Sequence, residues 1–234
     1  MTGPPVFAAG DRERPLIVRR NALARRMRLA VDPRCGEVRL TLPQRAPLRP
    51  ALAWAAEQRA WVEAQLAALP EPRPIAPGAA LPFRGRALTV DWAPERARTP
   101  ALAGDRLLVG GPAELLGARV LRWLRAQALA VLDAETRACA AAAGVTVGRV
   151  AVGDPRGRWG SCSAAGDIRY SWRLILAPPE VLSATVAHEV AHRLHMDHSP
   201  AFHAAVRRLH GRAPDAERAW LRAHGPDLYW IGRT

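Results

Sequence analysis

The segment Ala187-His188-Glu189-Val190-Ala191-His192 constrains this chain more than any other feature of its sequence. On a helix, residues i and i+4 share one face one turn apart, so His188 and His192 can point at a single ion. Imidazole is a good zinc ligand, and a catalytic zinc keeps one position open for water. Glu189 lies about 100° round the helix from His188, close enough to reach that water. Its expected role is general base, and then proton carrier to the leaving group. Leu182, Val186, Val190 and Leu194 fall at i+4 steps nearly opposite the histidines. They predict a helix that buries one apolar face and turns its imidazoles towards a cleft. In a chain with 7 histidines and 11 glutamates, the pattern arises by chance in roughly 1% of cases, so its context has to carry part of the argument.

A catalytic zinc needs a third protein ligand. His198 follows His192 by six residues and completes H-E-x-x-H-x5-H, the ligand spacing of the metzincin pattern. The glycine usual in that pattern is absent, because His195 occupies its place. His195 is the rival ligand, on the same helical face as His188. A helix rises about 10 Å over seven residues, however, so sharing one ion across that span would strain it. His198 is therefore the expected ligand. His203 is a weaker candidate, with a supporting or packing role. Asp197 and Asp154 are candidates for orienting a ligand imidazole, or else ordinary loop carboxylates.

Further stretches extend the pattern: Arg158-Trp159-Gly160-Ser161-Cys162-Ser163, then Ser171 to Pro179, then HEVAH, then Asp197-His198-Ser199-Pro200-Ala201-Phe202. In this order they resemble the YgjP-like metallopeptidase family, itself related to SprT-like zincins. The resemblance implies one zinc per chain on His188, His192 and His198, with Glu189 catalytic. The chain departs from the family at His203, where an aromatic residue, usually tryptophan, is expected after Phe202.

The stretch around Gly160 has a reading of its own. Gly160 permits a bend or a close backbone approach. A strand beside the motif helix could take an extended peptide by strand addition. Arg158, Tyr170 and Arg173 are candidate contacts to substrate or to a developing oxyanion, with ion pairing or surface solvation as the alternative for each arginine. Cys162 is a poor nucleophile candidate, because the histidines that could activate it are committed to metal. The eight tryptophans read as core or interface residues.

The fold class expected is α+β: a zincin-like catalytic domain with an HExxH helix, preceded by a small strand-rich N-terminal subdomain. Met27 to Val31 and Val38 to Leu42 read as strands of a hairpin around Asp32 to Gly36. A helix is expected from Leu48 to Leu69, with Leu52, Trp54, Trp61, Val62, Leu66 and Leu69 on its apolar face. Residues 14–69 form the expected first subdomain. Residues 70–82 hold five prolines and read as a stiff connection. Residues 83–234 are the expected metallohydrolase domain. Within it the pattern predicts strands at Ala87–Trp92 and Arg106–Val109, a long helix over Ala113–Ala143 capped by Gly144, and strands at Val145–Val152 and Ile168–Leu176. Two shorter helices are expected at Ala201–Leu209 and Ala213–His224. No internal repeat is evident.

All 34 basic residues are arginine, and the net charge is +13. Such a balance suits a polyanionic partner, weak nucleic-acid association included. It equally suits a uniform compositional bias, because the arginines are scattered without a long block. The three cysteines, Cys35, Cys139 and Cys162, include no CxxC pair, which excludes a disulfide framework and a cysteine-ligated structural zinc. No apolar run reaches the roughly 18 residues of a membrane span, and the N-terminus lacks a secretory h-region, so a cytoplasmic location is expected. A peptide or protein substrate is the expected partner. Hydrolysis of a nucleotide phosphoanhydride on the same metal stays open, as does a DNA-associated module recruited by its basic surface.

Overall fold

Val38–Pro43 alternates buried and half-buried residues, the period of a strand with one face on a core. In the computed structural model, which describes residues 5–9 and 12–233, this segment is β4. It joins a sheet with β1 (Val6–Ala9), β2 (Arg12–Asn21) and β3 (Arg28–Val31), in the order β1-β2-β4-β3. β2 and β4 run parallel, and the outer pairs are antiparallel. The expected hairpin is present, with Val31 opposite Val38. Its turn is closed by the Gly36 amide donating to the Asp32 carbonyl, and Gly36 takes the left-handed φ of 70° that a side chain would resist.

The helix expected over Leu48–Leu69 is two helices, α1 (Leu48–Glu57) and α2 (Arg59–Ala67), interrupted at Gln58. The buried face also differs from the expectation. α1 buries Ala51 and Ala55, and α2 buries Val62 and Leu66, while Trp61 is exposed. Small side chains let a helix backbone come close to a sheet, and the larger Leu52 and Trp54 pack at the margins of this core. The chain divides into two compact units, Met1–Glu71 and Pro72–Thr234, and these elements make up the first.

The second unit opens with β5 (Ala80–Phe83), β6 (Arg86–Trp92), β7 (Ala101–Ala103) and β8 (Arg106–Val109), ordered β5-β6-β8-β7. The end of the expected proline-rich connection is thus a strand. Pro82 is tolerated there because β5 lies at the sheet edge and pairs only with β6. β6 and β8 are parallel and the outer pairs antiparallel, so this sheet has the strand order and senses of the first. An internal repeat of chain path exists where the side chains show none.

The long helix α3 (Leu116–Ala143) follows a single 3-10 turn at Ala113–Leu115. It buries Leu116, Val120, Leu124, Ala128, Leu132, Thr136 and Ala140, one residue per i+4 step. Gly144 ends it at φ 67°, with the Val145 amide donating to the Ala140 carbonyl. A second, three-stranded sheet follows: β9 (Val150–Gly153), β10 (Gly160–Cys162) and β11 (Ile168–Ser171), ordered β10-β11-β9. Both strands expected here are shorter than the sequence suggests. Residues 145–149 lie outside β9, and Trp172–Leu176 forms a buried 3-10 turn. The chain ends in α4 (Pro179–Ala191), α5 (Pro200–His210) and α6 (Asp215–Leu228). Helix and sheet are mixed without regular alternation, and the class is α+β. Among the described residues, no helix is long and apolar enough to cross a membrane.

Leu124 is fully buried at the middle of the α3 stripe. Leu124→Ala is expected to cost about 2–5 kcal/mol, by lost burial and the cavity left behind. Chemical denaturation should show a lower midpoint with an unchanged slope.

Candidate metal centre

The helix that carries His188 and Glu189 has almost no free surface. From Val181 to Ala191, every residue except Ser183 and His188 is buried. The single apolar stripe expected from the sequence is therefore too narrow a description. The helix also stops earlier than the stripe implies: His192 is its C-cap, and Leu194 lies in the turns beyond. Those turns bring the His195 carbonyl to 3.2 Å from Nδ1 of His192, which donates to it. His192 is left with Nε2 free to ligate, as an imidazole held by a backbone carbonyl should be.

His198 sits just before α5. Ser199 caps that helix, its Oγ accepting from the Phe202 amide at 3.4 Å. Asp197 accepts from the Ser199 amide at 3.4 Å, and those hydrogen bonds hold its carboxyl below the usual range. Asp197 thus orders the turn that presents His198. The ligand atoms of His188, His192 and His198 all lie within 4.8 Å of one another, and among the described residues they form the group of metal-ligating type. The ring centroids are 4.9–5.4 Å apart. Phe202 is fully buried against all three rings, at 4.9, 4.5 and 4.8 Å from His188, His192 and His198. His195 contributes its carbonyl to this arrangement and not its imidazole. His203 stands 6.5 Å from His198, beside the cluster.

Burial, with neighbouring imidazoles and Arg218 adding positive charge, pushes the His188 pKa down to about 4. His192 is lowered chiefly by burial as well. A neutral imidazole is the form that binds metal. Three imidazole nitrogens suit zinc or another borderline transition metal, whereas magnesium and calcium prefer oxygen.

Glu189 is 4% exposed, and burial raises its pKa to about 7 against the opposing effect of Arg158. Its carboxylate fits because β10 begins with glycine. A Cβ on Gly160 would come within 2.6 Å of Glu189 Cγ and closer still to Oε1. Arg158, Gly160, His188 and Glu189 line one cleft of about 250 Å³. Its remaining wall is mostly apolar: Trp159 before β10, Val181 and Ala184 of α4, Val206 of α5 and Leu221 of α6. Glu217 and Arg218 of α6 also line it. Glu217 is buried and paired with Arg212, with His210 Nε2 at 3.7 Å.

Two other candidates from the sequence are not brought to this cleft. Arg173 is buried and pairs through both Nε and Nη2 with Asp154, at 2.7 and 3.0 Å. Its Nη1 donates to the Leu228 carbonyl at 2.5 Å, and the guanidinium stacks on Trp172 and Tyr229. Its donors are spent on holding the chain's end, and Asp154 serves Arg173 and not a ligand imidazole. Tyr170 is fully buried, with its hydroxyl 2.9 Å from Thr136 Oγ1 on α3, and burial raises its pKa far above the usual value. Burial also raises the Cys162 thiol, which suits its exclusion as a nucleophile. The packing role of Phe202 and the α6 wall were not foreseen. Phe202 stands four residues after His198, a spacing that could have marked it. The α6 residues carry no local signal.

Convergent imidazoles beside a buried carboxylate, in a cleft of an α+β chain, define a class of candidate metal-dependent hydrolases. The family model for the YgjP-like metallopeptidase domain matches residues 25–224, and the chain belongs to that family. Membership implies a hydrolase with a metal ion, and this histidine cluster could bind one. No curated protein and no solved structure gave a match.

Gly160→Ala tests the fit of Glu189. The added methyl should displace the carboxylate and leave the imidazoles in place. Metal content should stay near one per chain, while turnover falls by about 10²-fold, as displacements near 1 Å at a reacting centre do. Unchanged turnover would mean that Glu189 tolerates the shift.

Proposed function

We propose that this chain is a zinc-dependent peptidase of the zincin type, cutting peptide bonds with His188, His192 and His198 as ligands and Glu189 as general base. The observation that carries this reading is the buried Glu189 carboxylate beside three converging imidazoles in a chain of metallopeptidase family. The bound ion would polarise the scissile carbonyl and acidify the attacking water. Glu189 accepts the proton of that water and passes it to the leaving amine. Its raised pKa suits both steps, because a base near the working pH also serves as the acid that follows. Arg158 lines the same cleft and can hold the substrate carbonyl oxygen as charge develops. The apolar wall of Val181, Val206 and Leu221 suits a substrate side chain next to the bond being cut.

The test pairs metal content with hydrolysis across a set of peptides and nucleoside triphosphates. Glu189→Gln should retain about one zinc and lose on the order of 10²–10⁴-fold in turnover. His198→Ala should lose zinc markedly, while His195→Ala should keep it. Loss of zinc in Glu189→Gln would make that residue a ligand or a prop. Hydrolysis of triphosphates without peptides would replace the substrate class.

A second reading, nucleic-acid association, has one observation behind it. Arg19, Arg20, Arg25, Arg26 and Arg28 are all exposed around the β2–β3 connection. Arg20 is committed to the Pro43, Gln44 and Ala46 carbonyls, which leaves four for phosphates. DNA binding is expected to be weak at physiological salt. Its log–log salt slope should be about −3 to −4, and Arg25→Gln with Arg26→Gln should flatten it by about 2. A flat salt dependence would remove this reading.

A further inference from the structure

The β10-β11-β9 sheet has an inner face and an outer one. Ile168 and Tyr170 point into the core, and Arg169 between them is exposed. Arg169 pairs across the sheet with Ser161 on one side and Ala151 on the other. Over this outer face lies a groove of about 620 Å³, larger than the catalytic cleft. Arg149, Arg158 and Arg169 line it, and Arg158 also lines the cleft that holds Glu189. The two cavities therefore meet at one side chain.

We propose that this groove binds the acidic flank of an extended polypeptide substrate, with Arg149, Arg158 and Arg169 as its cations. The inference rests on the peptidase reading above and adds a substrate class to it. Six arginines elsewhere in the second unit are neutralised by carboxylates: Arg84 by Glu135, Arg96 and Arg106 by Asp91, Arg137 by Asp133, Arg173 by Asp154 and Arg212 by Glu217. Among the described residues, no carboxylate pairs with the side chains of Arg149, Arg158 or Arg169. Among the described residues, the carboxylate at the groove is that of Asp167, and its Oδ1 accepts from the Arg149 amide at 2.8 Å. Three arginines against one carboxylate leave net positive charge at the groove, facing solvent.

The floor points to a polypeptide. Ala151 and Ser161, which flank Arg169 on this face, are small, so a main chain can lie close to them. No aromatic side chain lines the groove, so bases of a single-stranded nucleic acid would find no stacking platform. Gly160 touches Glu189, and β10 leads from it to Cys162 and the groove. Arg158 stays at the junction with the cleft; at about 3.3 Å per extended residue, Arg169 and Arg149 meet side chains roughly two to four positions from the scissile bond.

The test uses full-length, zinc-loaded Glu189→Gln protein, which binds without turnover, and two labelled ten-residue peptides that differ only in three Asp against three Asn. Fluorescence anisotropy should give binding about tenfold tighter for the Asp peptide at low salt, shrinking to about twofold at 0.5 M salt as the charges are screened. Arg149→Glu with Arg169→Glu should abolish the preference and turn it towards a Lys-substituted peptide, which a merely structural role would not do. Should that variant fold poorly, Arg149→Gln with Arg169→Gln should still remove the preference. Equal affinities, a preference that survives charge reversal, or tighter binding of a DNA oligonucleotide than of the Asp peptide would each overturn the proposal. Wild-type cleavage of Asn and Asp peptides at equal rates would sink it and leave the peptidase reading standing. Selective binding of the Asp peptide with no peptide cleaved would do the reverse.

Discussion

The burial of α4 on almost every side is the constraint from which the candidate site follows. A helix with one free face can rotate or slide by small amounts at little cost. α4 packs among α3, α5, α6 and β10, so its azimuth is fixed by apolar neighbours. His188 and Glu189 therefore point where packing directs them, and no flexible loop has to hold them. The cost of burying a carboxylate is met by making it the group whose proton affinity rises towards neutrality. The same burial that disfavours the Glu189 anion disfavours a charged His188, and a neutral imidazole is the form that can ligate metal.

Polar ties far from the histidines support this packing. Arg173 joins the turn before α4 to Asp154 and to the carbonyls of Leu228, at the end of α6, and Ile231 just beyond it, and its guanidinium lies over the Trp172 and Tyr229 rings. Thr136 and Tyr170 connect α3 to β11 by a buried hydrogen bond. A buried arginine needs all its donors engaged, since an unpaired one costs several kcal/mol. Arg173 and Tyr170 are candidate substrate contacts by residue type, with ion pairing the alternative for Arg173; their chemistry is spent on holding β9, β11 and the end of α6 together.

Elements whose signal is local were readable. The HExxH spacing, the Gly144 cap, the β3–β4 hairpin and the α+β class all depend on residues within one or two turns of each other. The α1–α2 interruption was not readable, because nothing in Gln58 itself stops a helix. β5 was hidden by Pro82, a residue that marks a connection unless the strand lies at an edge. Arg173 and Tyr170 were assigned by residue type, while their roles are set by Asp154, Leu228 and Thr136, which lie 19 to 55 residues away. Phe202 lay inside a recognised motif, but its part as the apolar floor under three imidazoles needed coordinates.

The shared strand order of the two four-stranded sheets has an architectural consequence. Each is followed by helix: the short α1 and α2 in one case, the unbroken α3 in the other. Up to that point the two units trace the same path. Past it they diverge, because α3 runs on to Ala143 and its last turns carry Thr136 and Ala140 beneath β11 and β9. Every side chain of the candidate centre comes from this later stretch, which has no counterpart in the first unit. The common half of the design is scaffold, and the candidate centre belongs to the stretch that follows it in the second unit alone.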